Sequence, residues 1–521
     1  MSTLAFPYTL VVLAPFRPVE GLWTEAPVEV SRTDDLDQAL DRLGGVFRLP
    51  VDKSICPALW LEVSVHRFAD FKPRNVCENC GYLKRLAAAD AFVAQAVAAN
   101  TSPADVAARL SQEFGDLPLE LNLPTAAAPP AAAAASSVDS LLSMVAMPEA
   151  APSVQPGLTR WRSQIAGLMS ASLRAIFSDP GFRAAEAAWR GVDLLLRCGK
   201  DAEEGVRIEL VPTSLALLPQ TLELLTVQLA AHPPNALLVD FALDTMPARM
   251  ELWGALANIG ATLLAPVAAA ASPEFFHVEN LNALSRIGYI SHYLEGAAYA
   301  KWRTLQHLED AGWLAATLNG FLLRAPYGQD NPARPVAFDE AAPLWLNPVW
   351  AFGATLLASV AATGWPHLLT GARALLQDLA VTQRADGRSA AVEADIDTAR
   401  ARELAEAGFS PLVGVVGNDK ALLPARVAVD GSSLSWRLFF NRILSLVFTC
   451  HTQLDLAPGE DPALALQKAF ADFFARSGHA VPSDLEIRSA PAENGLSLSF
   501  AFTPPGSVLQ GGTPVTFSLD W

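Results

Sequence analysis

Between residues 123 and 157 the chain loses any helical or strand period, and this stretch constrains the rest of its folding. Residues 125–137 read TAAAPPAAAAASS, and residues 148–157 read PEAAPSVQPG. Prolines so placed interrupt both helical hydrogen bonding and strand ladders, so the stretch reads as a linker. It divides the chain into a first part, 1–122, and a longer second part, 158–521. A flexible chain of about 35 residues spans ~30–35 Å root-mean-square, enough to pair the two parts within one protomer. Hydrophobic residues make up 51% of the chain and charged residues 17%, so each part can bury a core.

Both parts show strand and helix periods, and no internal repeat of 20–50 residues is found. Residues 9–14 form a β-branched apolar run and read as a strand. Leu36, Ala39, Leu40 and Leu43 share one helical face, with Asp34 placed to cap it. Leu59, Leu61, Val63 and Val65 alternate with Trp60, Glu62 and Ser64, as in a half-buried strand, and 75–99 reads as a long Ala/Leu helix. In the second part, 158–177 and 181–197 read as helices broken at Asp179-Pro180. Residues 206–211, 236–241 and 261–266 are strand candidates, and 250–258 is helical. Apolar strands alternating with helices predict two α/β units with a mostly parallel sheet. The C-terminal region differs, with short strands at 485–488, 496–502 and 515–519 between Gly/Pro turns. There Leu496, Leu498, Phe500 and Phe502 make one apolar face.

Several function classes are disfavoured. A net charge of −17 repels nucleic acid and anionic membrane. No run of 18 strongly apolar residues occurs, and 352–365 is rich enough in Ala and Gly to be a buried helix. The apolar run 10–14 lacks the basic flank of a signal peptide, and five cysteines make no disulfide framework, so a reduced, cytoplasmic protein is expected. Phosphate-loop, dinucleotide, nucleophile-elbow and HExxH patterns are absent, and 414–417 (GVVG) reads as a turn. Cys77 and Cys80 form a CxxC pair near a helix start, with Cys56 as the nearest third thiol; they read as ordinary helix cysteines. The eight histidines lack ligand spacing, and His307 with Glu309 and Asp310 reads as a solvated helix face. Trp189, Trp302, Trp313, Trp345, Trp350 and Trp365 have apolar neighbours, which suits core packing or subunit contact. No catalytic group, metal or cofactor is expected.

Inside the linker, Val138, Leu141, Leu142 and Val145 fall at i, i+3, i+4 and i+7, with Ser136 or Ser137 as cap and Asp139 at the positive end of the helix dipole. This short amphipathic helix either docks on its own protein or is offered to another protein's groove.

Six segments of the second part resemble the large sheath subunit (TssC/VipB-like) of type VI secretion systems. They are 182–195 (FRAAEAAWRGVDLL), 265–276 (APVAAAASPEFF), 299–305 (YAKWRTL), 319–328 (NGFLLRAPYG), 344–352 (LWLNPVWAF) and 401–412 (ARELAEAGFSPL), in family order. In the first part, 8–16 (YTLVVLAPF), 30–49 and 61–76 resemble the small subunit (TssB/VipA-like). The resemblance implies a phage-tail-sheath-like fold and a fusion of two subunits that are usually separate. It also implies a helical homopolymer around an inner tube, seated on a baseplate, with no enzymatic activity. In that family a AAA+ ATPase grips a short helix at the start of the large subunit, and 137–147 occupies the equivalent place. Terminal strands cross between protomers, and the Leu496–Phe502 alternation is the candidate for that role.

The sequence departs from the family at Arg324-Ala325-Pro326 and Trp345-Leu346-Asn347, in a shortened segment after Trp365, and at Phe502-Thr503-Pro504-Pro505-Gly506. Prolines remove ladder donors, so the last change bears on strand exchange and contraction. It motivates an alternative: a non-polymerising cap, baseplate adaptor or interaction protein.

Overall fold

The computed structural model describes residues 4–121, 156–384, 387–454, 460–492 and 495–521. In chain order the strands are β1 (Tyr8–Ala14), β2 (Val28–Val30), β3 (Gly45–Pro50), β4 (Trp60–Val65), β5 (Val206–Pro212), β6 (Ala236–Leu243), β7 (Val267–Ala271) and β8 (Leu314–Leu318). Then follow β9 (Thr382–Gln383), β10 (Ser389–Ala390), β11 (Phe409–Pro411), β12 (Val413–Gly414), β13 (Ala421–Leu422), β14 (Glu486–Ala492), β15 (Gly495–Phe502) and β16 (Val515–Asp520). The architecture is mixed α/β.

The chain folds into two compact units, and they are not the linear segments read from the sequence. One unit gathers 1–43, 183–326 and 343–521, and the other gathers 44–182 and 327–342. The physical reason lies in β1. Its run YTLVVLA is buried almost throughout, as only a strand paired on both edges and covered on both faces can be. It pairs in parallel with β5 (Tyr8↔Val206 to Ala14↔Pro212) and with β6 (Leu10↔Ala236 to Leu13↔Val239). The seven-stranded sheet runs β11-β8-β7-β6-β1-β5-β2, so β1 sits inside it between two strands from distant sequence, with the other N-terminal strand, β2, at the edge.

The helix Leu36–Leu43 buries Leu36, Ala39, Leu40 and Leu43 as their spacing predicts. Its start differs: a 3-10 turn, Thr33–Asp35, precedes it, and the Asp35 carboxylate accepts from the Arg32 backbone N–H at 3.0 Å, so Asp34 is not the cap. The expected strand 261–266 is also corrected. The helix Pro247–Leu263 runs through that stretch to Leu264, which is left-handed (φ 50°), and β7 begins only at Val267. Leu252, Leu256, Ile259 and Leu263 continue a helical period that outweighs the short apolar run. The helix Pro348–Thr363 is buried along nearly its whole length, which accounts for its uninterrupted apolar composition.

The C-terminal strands form an antiparallel sheet in the order β14-β15-β16. Leu498, Phe500 and Phe502 are buried in a core with Phe470, Phe473 and Phe474 of the helix Pro462–Arg476.

In the other unit, the β3–β4 hairpin turns Phe47, Leu49, Leu61 and Val63 inward. The expected helix 75–99 is two helices, Pro73–Asn79 and Gly81–Ala98, because Cys80 is extended (φ −105°, ψ 116°). The helix Pro156–Ser178 packs along Gly81–Ala98. Phe177 and Phe182 anchor an aromatic cluster with Phe47, Phe71, Tyr327 and Phe338 at centroid distances of 5.1–5.5 Å.

Candidate functional site

The sequence segments that suggested a family converge on two buried knots. The first centres on Glu186, whose side chain is fully buried on the helix Pro180–Gly199. Arg324 reaches it with two hydrogen bonds, 2.6 and 3.0 Å, and Arg190 adds two contacts, at 2.8 and 2.9 Å. Burial pushes the Glu186 carboxyl up, but Arg324 and then Arg190 outweigh it and hold the group below its usual range. One turn on, the Trp189 indole N–H donates to the Phe16 carbonyl at 2.9 Å. Gly191 meets the face of Trp350: a Cβ there would lie 2.1 Å from the indole. The pattern E-x-x-W-R-G is thus a packing formula, each position answering a specific neighbour.

The second knot is aromatic. Trp302 stacks on Phe409 at 5.4 Å, and Phe275 meets Trp302 edge-on at 4.8 Å. Trp253 meets Trp302 at 5.4 Å, and the Tyr299 hydroxyl donates to the Phe275 carbonyl at 3.0 Å. Nearby, Asn319 takes a left-handed conformation (φ 81°) and is fixed by two bonds from its amide to the carbonyls of Ala394 (3.0 Å) and Leu412 (2.7 Å).

Open α/β sheets usually bind ligands beyond the strand C-termini where the strand order reverses. Here β1 has β5 on one side and β6 on the other, so the reversal lies at its C-terminal end. Phe16 and Trp189 occupy that place, both buried, with ring centroids 5.2 Å apart. Beyond β5 the Thr213 hydroxyl is bonded to that of Thr221 at 2.8 Å. The crevice is packed with side chains.

Sequence reasoning missed the residues that hold the chain start in place. The Phe6 N–H donates to the Glu204 carboxylate at 2.9 Å, and Arg442 donates to the Phe6 carbonyl at 2.8 Å. The Thr9 N–H donates to the Asn235 side chain at 2.8 Å, and Asn235 donates in turn to Asn441 at 2.9 Å. The available signal was Asn441-Arg442 among the apolar residues Leu438, Phe439, Ile443 and Leu444 of the helix Ser435–Gln453.

Cys77 is buried in the helix Pro73–Asn79 and Cys80 is buried at the helix break itself; burial pushes the Cys77 thiol up to about 11 and raises Cys80 as well, away from thiolate chemistry. Among the described residues, no group of three or more His, Cys, Asp or Glu could hold a metal ion. His307 is exposed, and His367 is buried, with burial lowering its pKa to about 4. Trp189, Trp302, Trp350 and Trp365 are core residues, while Trp313 and Trp345 are half-buried. Residues 414–417 lie at the turn between β12 and β13. Among the described residues, no helix is long and apolar enough to cross a membrane. Val138, Leu141, Leu142 and Val145 lie outside the described residues. Leu498, Phe500 and Phe502 face the core and Leu496 is half-buried; their strand, β15, is paired on both sides within the chain, which leaves the outer edges of the sheet to β14 and β16.

Comparison with known proteins gives these motifs a context. Residues 227–429 match the VipB family, described as the EvpB/VC_A0108 tail sheath N-terminal domain. The type VI secretion system sheath protein TssC1 of Pseudomonas aeruginosa (strain PAO1) is 27% identical over 286 residues, covering 49% of this chain and 57% of that protein. The chain thus matches a little over half the length of that relative. Among solved structures, the anti-feeding prophage baseplate aligns with TM-score 0.37 at 12% identity, covering 61% of this chain and 78% of the other. The contracted helical sheath of the same prophage aligns with TM-score 0.32 at 12% identity, covering 63% and 77%. The sheath tail protein of Desulfitobacterium hafniense aligns with TM-score 0.30 at 10% identity, covering 58% and 59%. The matched region contains the aromatic knot together with Arg324 and Trp350 of the first knot, so over residues 227–429 the chain is similar to the tail sheath N-terminal domain.

Proposed function

We propose that the chain is a one-component sheath subunit, with a small-subunit-like part, 1–122, fused through 123–157 to a large-subunit-like part, 158–521. The observation that carries this reading is the place of β1: it comes from the first part, yet both its neighbours, β5 and β6, come from the second. Neither part completes that sheet alone, so the two serve as one protomer. Copies pack head-to-tail into a helical, contractile tail around an inner tube on a baseplate, within the cytoplasm. A head-to-tail contact that does not close gives a filament, and work is stored in subunit packing that differs between extended and contracted states. The open edges of the β14–β16 sheet are where strands of neighbouring copies add. A AAA+ ATPase engages 137–147 to dismantle the used sheath, and the double variant Leu141→Asp with Leu142→Asp abolishes that binding while leaving assembly intact. Unchanged pull-down of the double variant by the ATPase would remove this part of the reading.

The deciding experiment is electron microscopy of the purified chain, alone and with a candidate inner-tube protein. Regular hollow tubes support the sheath reading. Dispersed particles under both conditions support the second reading, a non-polymerising cap or baseplate adaptor. That reading is favoured by β15 being paired on both sides within its own chain and followed by Pro504-Pro505.

A further inference from the structure

A groove of about 560 Å³ opens between the helices Gly81–Ala98 and Pro103–Glu113. Ala96 and Val106 are its buried floor and Phe92 lines it half-buried; Ala108, Asp105 and Arg109 form an exposed rim. The gap exists because the facing positions are small, Ala96 and Ala99 on one helix and Ala108 on the other. Arg109 forms no ion pair among the described residues.

We propose that this groove is the docking site of the chain's own segment 138–145, which lays Val138, Leu141, Leu142 and Val145 against Phe92, Ala96 and Val106.

The chain leaves and re-enters the described structure at neighbouring points. Glu120 and Arg160, near the two ends of 122–155, are ion-paired at 2.7 Å, and the Trp161 indole donates to the Glu120 carbonyl at 3.2 Å. The segment therefore departs from and returns to one place. That place adjoins the groove, because Arg162 bonds Asp90 at 3.0 Å on the helix that forms one wall. Gln95, on the same wall, is about 7.5 Å further along the helix axis at 1.5 Å per residue. The chain from Val145 to Pro156 reaches up to ~36 Å when extended, several times that distance. Such a tether gives an effective concentration on the order of millimolar.

Composition supplies the rest. The residues 122–155 contain one amphipathic stripe, 138–145, and their charged residues are Asp139 and Glu149. An acidic, apolar segment complements an apolar floor with Arg109 on its rim. A docked stripe is withheld from any other protein, so the contact is autoinhibitory. That consequence alone rests on 137–147 being a recognition element; the docking itself does not.

Hydrogen exchange on the full chain tests it. The amides of 138–145 are expected to exchange about tenfold or more slowly than those of 126–135. Ala108→Arg fills the groove from an exposed position and is expected to abolish the difference, with an unchanged circular dichroism spectrum. Leu141→Asp with Leu142→Asp is expected to do the same. A synthetic peptide of residues 137–147 added to that double variant should then protect the helices around Phe92 and Val106, and should fail to do so once Ala108→Arg is added. Exchange of 138–145 as fast as its flank, or protection that survives Ala108→Arg, would overturn the proposal. If protection behaves as stated and a AAA+ ATPase binds neither form, the ATPase reading fails and the docking stands.

Discussion

A carboxylate with no exposure keeps its charge at Glu186 because Arg324 and Arg190 supply four contacts between 2.6 and 3.0 Å. Removing one guanidinium leaves a buried charge short of partners, so Arg324→Ala should cost about 3–5 kcal/mol in a denaturant titration. The folded-state pKa of Glu186 lies below its ordinary 4.5, so its contribution is present above that value and is lost as pH falls through the lower, folded pKa. Glu186→Gln should therefore flatten the acid limb of the stability profile. Asp240 is the opposite case. It sits half-buried where the β6–β7 register slips, and burial, against the pull of Trp350, pushes its carboxyl up to about 8. Its proton is held more tightly in the folded state, so stability is lost as pH rises from the unfolded value towards about 8. Asp240→Asn should raise the melting temperature at alkaline pH, with a gain that shrinks steadily towards pH 5; an equal gain at both ends would contradict the assignment.

At the scale of elements, two glycines decide how closely helices approach. Gly191 lets the helix Pro180–Gly199 lie against Trp350, and Gly353 lets the helix Pro348–Thr363 lie against Leu238 of β6, where a Cβ would fall 2.5 Å from the leucine. Gly191→Ala forces the indole aside and should cost about 1–3 kcal/mol by overpacking, measured by thermal or chemical denaturation. A strand paired on both edges is less forgiving still. Val12→Pro removes a ladder donor from β1 and should cost ~3 kcal/mol or more, visible as loss of soluble, cooperatively unfolding protein.

For the whole molecule, the charge of −17 sets the conditions for the self-assembly proposed above. Like-charged subunits repel until salt screens them, and the Debye length falls from about 14 Å at 0.05 M to about 6 Å at 0.3 M ionic strength. Tubes should therefore form at lower protein concentration in the higher salt, as followed by sedimentation. The reverse dependence would mean that ion pairs between subunits dominate the contact.

The local sequence determined a good deal by itself. The helical face of Leu36–Leu43, the break at Asp179-Pro180, the buried helix Pro348–Thr363 and the alternation of Leu498, Phe500 and Phe502 follow from periods and breakers within a few residues. Motif order across the second part pointed to a resemblance to sheath subunits, and the family match covers residues 227–429 of it, although motif order gave no reason for the resemblance. The structure supplies that reason: Glu186 needs Arg324, Gly191 needs Trp350, and Trp302 needs Phe409, partners separated by more than a hundred residues. Only the tertiary structure decided that β1 belongs between β5 and β6. It likewise decided that the compact units cut across the linker, and that the apolar face of β15 serves a core in its own chain. Side-chain periodicity records which face of a strand is buried but not which strand lies beside it, because backbone hydrogen bonds carry no sequence label and the pairing is set by long-range packing.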